Sequence, residues 1–263
     1  MNLFINKATP LLILLLIFGR QLSYGQTKSF DKVDKELTTL YSKIFPFYYG
    51  NQDSLNYYSD LFSTRLTNFI ENNPSTLKYK FKSLTDSNAC RIVTSADGLF
   101  RIFSWDTWLG GTMHDFKNIF QFKSDGKVYS TDLNRNEDDL GTYFTDIYTL
   151  KANNKTYYLT INSSSESTKY VYETISVFTI SNDILDDNVK LIKTQTGLNN
   201  SIGFEYDFFS VGDRPERPMR LTRYNPDTKT IYIPIVLEDG KVTDRFILYQ
   251  FTGQYFEKKS TQK

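Results

Sequence analysis

Few of the groups on which common catalytic signatures rest are present in this chain of 263 residues, which has one cysteine, one histidine, two tryptophans and seven prolines. Cys90 has no partner for an intramolecular disulfide, so stability must come from an ordinary apolar core. His114 has no second histidine with which to complete a zinc site, and neither HExxH nor Gly-x-Ser-x-Gly occurs. An excess of charge is missing too: 31 basic side chains face 30 acidic ones, which argues against gripping nucleic acid or an anionic membrane surface. No cofactor is expected on these grounds.

Long apolar runs are also scarce, with one exception at the start. MNLFINKATPLLILLLIFGRQLSYGQ has Lys7, an uncharged run from Ala8 to Gly19 and small residues at Ser23 and Gly25. The run is shorter than the roughly 20 residues a spanning helix needs, and the layout is that of a signal peptide cut between Gly25 and Gln26. No cysteine stands at the cut for lipid attachment. The mature chain would be secreted or periplasmic, with no membrane span left; it would keep 29 basic and 30 acidic side chains, a net charge of −1.

Aromatic residues are abundant, with 19 Tyr and 21 Phe, as strand-rich chains favour. Ser29 to Phe45 places Phe30, Val33, Leu37, Leu40, Tyr41, Ile44 and Phe45 at three- and four-residue steps, predicting an amphipathic helix capped by Ser29. After the turn FPFYYGNQ, a second helix is predicted from Ser54 to Glu71, with Asp53 as N-cap and Asn72-Asn73-Pro74 as stop. From Leu77 the period changes to two, beginning with LKYKFKSL read as a strand. Turn signals follow at Ala96-Asp97-Gly98, Ser124-Asp125-Gly126, Ala152-Asn153-Asn154, Asn225-Pro226-Asp227 and Glu238-Asp239-Gly240. Helical period past Asn72 is confined to the acidic piece Asn182 to Asn188. Pro234 marks a bulge or an edge.

The expected organisation is a signal peptide (1–25), a helical hairpin (26–76), an antiparallel β domain (77–258) and a polar tail (259–263). Strand groups over 88–131, 143–194 and 202–257 predict a mainly β, α+β fold of antiparallel meanders. They would form a curved or incomplete propeller-like sheet plugged by the hairpin, with a β-sandwich as the alternative.

One stretch concentrates the rare residues: SWDTWLGGTMHDF, Ser104 to Phe116, holds both tryptophans, the histidine and a Gly-Gly pair. The hairpin turn at Asp97-Gly98 puts Phe100, Ile102 and Ser104 on one strand face and Leu99, Arg101, Phe103 and Trp105 on the other. Gly110-Gly111 allows a reversal that brings His114 back towards Asp106 and Arg101. For hydrolysis, Asp106 would orient His114, with Ser104 or Thr112 as nucleophile. For ligand binding, Trp105, Trp108, Arg101 and Thr112 would supply the surface. The structural alternative has Asp106 and His114 bonding loop backbone while the tryptophans pack as core.

Other motifs are weaker. Cys90 could pair with His114 but reads as a small buried hydrophobe. DLNRNEDD, from Asp132, starts like a calcium loop but has Glu137 where glycine is required, so no metal is expected. GDRPERPMR, Gly212 to Arg220, either holds an anion or links strands. The leading expectation is an exported envelope binding protein without its own catalysis, meeting an unknown protein or glycan partner. The alternatives are a hydrolase using Asp106 and His114, and a periplasmic inhibitor or immunity-type protein.

Overall fold

The computed structural model describes residues 29–133 and 141–262. The predicted signal peptide and most of the calcium-like segment lie outside these residues. Helix α1 spans residues 29–41, and a short 3-10 turn at Phe45–Phe47 leads into α2, Gln52–Asn72. The cap of α2 is Asn51, whose side chain accepts the Ser54 N–H; the predicted Asp53 lies inside the first turn.

LKYKFKSL is not a strand. It holds the end of a 3-10 turn, Pro74–Leu77, and the start of a five-residue helix α3, Lys82–Asp86. Phe81 breaks the chain direction with φ of 46°, and the buried Asp34 of α1 accepts the N–H groups of Ser83 and Leu84. A carboxylate from another helix thus caps α3.

The rest is antiparallel sheet with one exception. Strands β1 (Arg91–Thr94), β2 (Phe100–Asp106), β3 (Phe116–Ser124) and β4 (Lys127–Thr131) form a four-stranded meander. Strands β5 (Tyr143–Ala152), β6 (Lys155–Ser165) and β7 (Tyr170–Ser181) form a second, to which β8 (Ile184–Asp186) adds; the acidic piece read as helical is therefore a turn and this strand. After the small hairpin β9 (Ile192–Thr194) and β10 (Gly197–Asn199), strand β11 (Ser201–Asp207) returns to pair with β7. Strands β12 (Arg223–Asn225), β13 (Thr230–Val236), β14 (Val242–Phe251) and β15 (Phe256–Gln262) complete a third sheet, which β9 joins by parallel pairing with β15. The residues read as a polar tail from 259 onward continue β15.

Every expected turn falls between paired strands. The Pro234 irregularity is a register shift between Pro234 and Val236.

The three sheets stack in chain order beneath the helices. Phe103, Trp105 and Ile119 of the first sheet pack against Leu37, Leu40, Phe62, Leu66 and Ile70 of α1 and α2. Its opposite face, with Phe100, Ile102 and Phe120, meets Phe144, Tyr158 and Phe178 of the second sheet. That sheet in turn meets Ile231, Ile233, Tyr249 and Phe256 of the third through Leu159, Ile161, Ile175 and Val177. Each fully buried Phe or Leu in these layers stabilises the fold by about 2 kcal/mol. The result is a mainly β, α+β fold, a helical layer on three mostly antiparallel sheets that do not close into a barrel; three stacked sheets stand where the sandwich alternative has two.

Candidate functional site

Asp106 ends β2 and pairs with Phe116 at the start of β3, so residues 107–115 form the loop of a hairpin. The loop is bonded throughout. Thr107 N–H donates to the Asp115 carbonyl, and the Thr107 hydroxyl donates to the Asp115 carboxylate at 2.6 Å. Asp106 Oδ1 accepts the Trp108 N–H at 2.8 Å, while its Oδ2 lies 2.6 Å from His114 Nδ1, the nitrogen that carries the donated proton.

The two adjacent glycines serve different needs. Gly111 has φ of +61°, which a side chain disfavours, but an added Cβ there would meet nothing within 4 Å. Gly110 has an ordinary φ, yet a Cβ there would lie 2.0 Å from the His114 carbonyl oxygen. Trp108 at φ 63° and His114 at φ 57° are also held in the left-handed region. Two bulky residues so placed in one short loop store backbone strain that its hydrogen bonds must offset.

The hydrogen bond to Asp106 raises the His114 imidazole above its usual 6.5, and the Asp106 charge acts the same way while partial burial opposes both. The imidazole is 39% exposed. Among the described residues no hydroxyl or thiol is hydrogen-bonded to it, and no group of three or more metal-ligating side chains forms. The expected link between His114 and Asp106 is therefore present, but Arg101 is not part of it.

Arg101 points into the core, where its guanidinium donates to Thr94 Oγ1 and to the carbonyls of Thr76 and Tyr79. Burial without a carboxylate partner pulls it down to about 10. Together with Gln121, which donates to the Ile70 carbonyl, it satisfies backbone groups around the end of α2. Trp105 is 2% exposed and its indole N–H donates to Ser63. Neither side chain is placed to touch a ligand at the loop.

Ser104 is wholly buried between sheets, donating to Asn118 and accepting the Phe144 N–H, so it is not poised as a nucleophile. Thr112 is exposed on the loop. Cys90 is buried in the helical core, which pushes its thiol far up, and is not paired with His114. In GDRPERPMR, Arg217 folds back onto the carbonyls of Gly212, Arg214 and Glu216, as a self-bonded linker would.

Of the predicted ligand-binding residues, Thr112 is exposed on the 107–115 loop and Trp108, half-buried against the helical core, lies beside His114. The Trp108 indole N–H donates to the Tyr41 hydroxyl, which in turn donates to the Asp106 carbonyl, fastening the loop to α1. Burial and the nearby Asp106 push that hydroxyl far above its ordinary value. Around Trp108 the turn between α1 and α2 contributes rings that sequence reasoning passed over. Phe45 and Tyr48 lie 5.1 and 5.4 Å from it, edge to face, and Tyr49 packs on Tyr48 at 4.7 Å. Trp108 also neighbours His114 at 6.2 Å; Phe116 stacks on His114 at 5.7 Å, and Tyr143 lies 5.3 Å from Phe116.

Phe45 is 53% and Tyr49 87% exposed, with Leu109 and Met113 exposed nearby. The signal in the sequence was FPFYY itself, since turns between helices are usually polar.

Three open clefts lie elsewhere: one of about 550 Å³ beside Lys193, Tyr249 and Glu257, one of about 430 Å³ beside Asp97, Thr149 and Tyr224, and one beside Lys35, Lys43 and Arg65. None of the three is lined by His114. Comparison with protein-family models, curated proteins and solved structures finds no match.

Proposed function

We propose that this is an exported binding protein of a bacterial envelope, without its own catalysis, that meets its partner through the ring-lined surface around Trp108. One observation carries the reading: solvent-exposed Phe45 and Tyr49 extend a continuous series of aromatic contacts that is anchored, through Trp108 and Tyr41, to a rigid helix-on-sheet base. The N-terminal apolar run supports the export half of the proposal. No helix among the described residues is long and apolar enough to cross a membrane.

The test uses Phe45→Ser and Tyr49→Ser. Both side chains are largely exposed and lose only ring contacts at the surface, so each substitution should cost thermal stability no more than about 1.5 kcal/mol. Each should also abolish migration of the protein in a larger complex on native gels of envelope fractions. Complexes unaffected by both substitutions would refute the reading.

A second reading, hydrolysis, is favoured by the 2.6 Å Asp106–His114 pair. It requires a nucleophile or an activated water at His114 Nε2. Loss of a measured ester or amide hydrolysis in both Asp106→Asn and His114→Ala would favour it over binding alone.

A further inference from the structure

The aromatic surface does not end on an apolar group. Beyond Phe116 lies Tyr143, at the start of β5; burial raises its hydroxyl above the ordinary value, while the charges of Arg91 and, more weakly, Arg220 oppose the rise. Arg91 donates to the Thr145 carbonyl at 3.2 Å, which fixes its guanidinium across the gap between β1 and β5. The Arg220 side chain is 42% exposed.

The carboxylates nearby are largely spent. Asp146 faces Arg220 at 3.3 Å, Asp106 is taken by His114 and Trp108 N–H, and Asp115 by Thr107. Glu173 is fully buried, with its oxygens accepting the N–H groups of Leu221 and Thr222. Two guanidiniums therefore stand at this end against one directly paired acid. Each keeps N–H donors beyond those bonds, since a guanidinium has five.

We infer that the partner of this surface is an acidic peptide segment, with apolar side chains lying on Phe45, Trp108 and Met113 and a carboxylate reaching Arg220 and Arg91. The inference rests on the binding reading above and adds the chemistry of its partner. Charge complementarity selects an anion at the arginine end. Trp, Tyr, Phe, Met and Arg are the side chains enriched in protein–protein interfaces, and exposed aliphatic Leu109 and adaptable Met113 suit apolar side chains better than the flat face of a sugar.

The experiment is selection of random dodecapeptides, displayed on phage, against the purified protein and against Arg220→Gln, Arg91→Gln and Trp108→Ser. The expected result is peptides combining apolar residues with enriched Asp and Glu, the acidic enrichment falling in both arginine variants and the apolar enrichment in Trp108→Ser. A synthetic copy of a selected peptide should bind the unsubstituted protein about tenfold more weakly at 500 mM than at 50 mM NaCl, a readout that needs no variant to fold.

Peptides without acidic bias, or an acidic bias unchanged in both arginine variants together with salt-independent binding, would overturn the inference. Failure to select peptides alongside Trp108-dependent binding of polygalacturonate would also overturn it, while leaving the binding surface standing. If Trp108→Ser alters neither assay, inference and surface fall together.

Discussion

Replacing Gly110 and Gly111 separately by alanine should have unequal effects, although the two glycines are neighbours in one loop. At Gly111 the new methyl meets open space, so the cost is that of holding alanine at φ +61°, about 1 kcal/mol. At Gly110 the methyl would lie 2.0 Å from the His114 carbonyl oxygen and 2.1 Å from its carbon, where real contacts stay beyond 3 Å. Both atoms belong to backbone, so the 110–115 segment must move by an ångström or more. That movement breaks the short Asp106–His114 hydrogen bond and disturbs the bond from Thr107 N–H to the Asp115 carbonyl. Losing a charge-assisted bond and straining a second costs about 3 kcal/mol in total. For a protein of this size the corresponding falls in Tm are about 2–4 °C for Gly111→Ala and about 6–12 °C for Gly110→Ala. Thermal unfolding by near-ultraviolet circular dichroism reads both, and because His114 is the only histidine, its imidazole proton resonances report the loop directly. Equal falls in Tm, or an unmoved His114 resonance in Gly110→Ala, would refute the close-approach argument.

Other consequences follow from the same contacts. The His114 titration followed by NMR should have its midpoint above 6.5, returning towards 6.5 in Asp106→Asn. Because the folded value is raised, the stabilisation from this pair is complete below pH 6.5 and disappears as pH rises through the folded midpoint, so the Tm deficit of Asp106→Asn should shrink in alkali; a constant deficit would contradict this. Arg101→Met should cost about 3 kcal/mol, by leaving buried carbonyls of Thr76 and Tyr79 without donors, as measured by denaturant unfolding. Asp34→Ala should cost about 2 kcal/mol and speed amide exchange at Ser83 and Leu84.

Much of the β architecture was legible because it is local. The faces of β2 follow from alternation, with Phe100 and Ile102 towards the second sheet and Phe103 and Trp105 towards the helices. The turns follow from Asn and Gly at positions of positive φ, such as Asn153, Asn154 and Gly126. What could not be read is non-local. Helix α3 depends on Asp34, which precedes its first turn by nearly fifty residues. Arg101 looked like a surface cation because nothing in its own strand shows that carbonyls from 76 and 79 wait beneath it.

The pairing of Asp106 with His114 was visible in the Gly-Gly reversal. The surface around it was not, since its rings come from residues 45–49, 108, 116 and 143 and become neighbours only through the fold.

The central claim is that this surface is where the protein meets its partner. A photo-crosslinking phenylalanine analogue in place of Phe45, compared in the producing cell with the same analogue in place of Leu198, tests it most directly; both positions are exposed, and Leu198 lies on β10 of the third sheet. A discrete adduct from position 45 and none from position 198 is the predicted result. Adducts of equal yield from both positions, or an adduct from 198 alone, would contradict it.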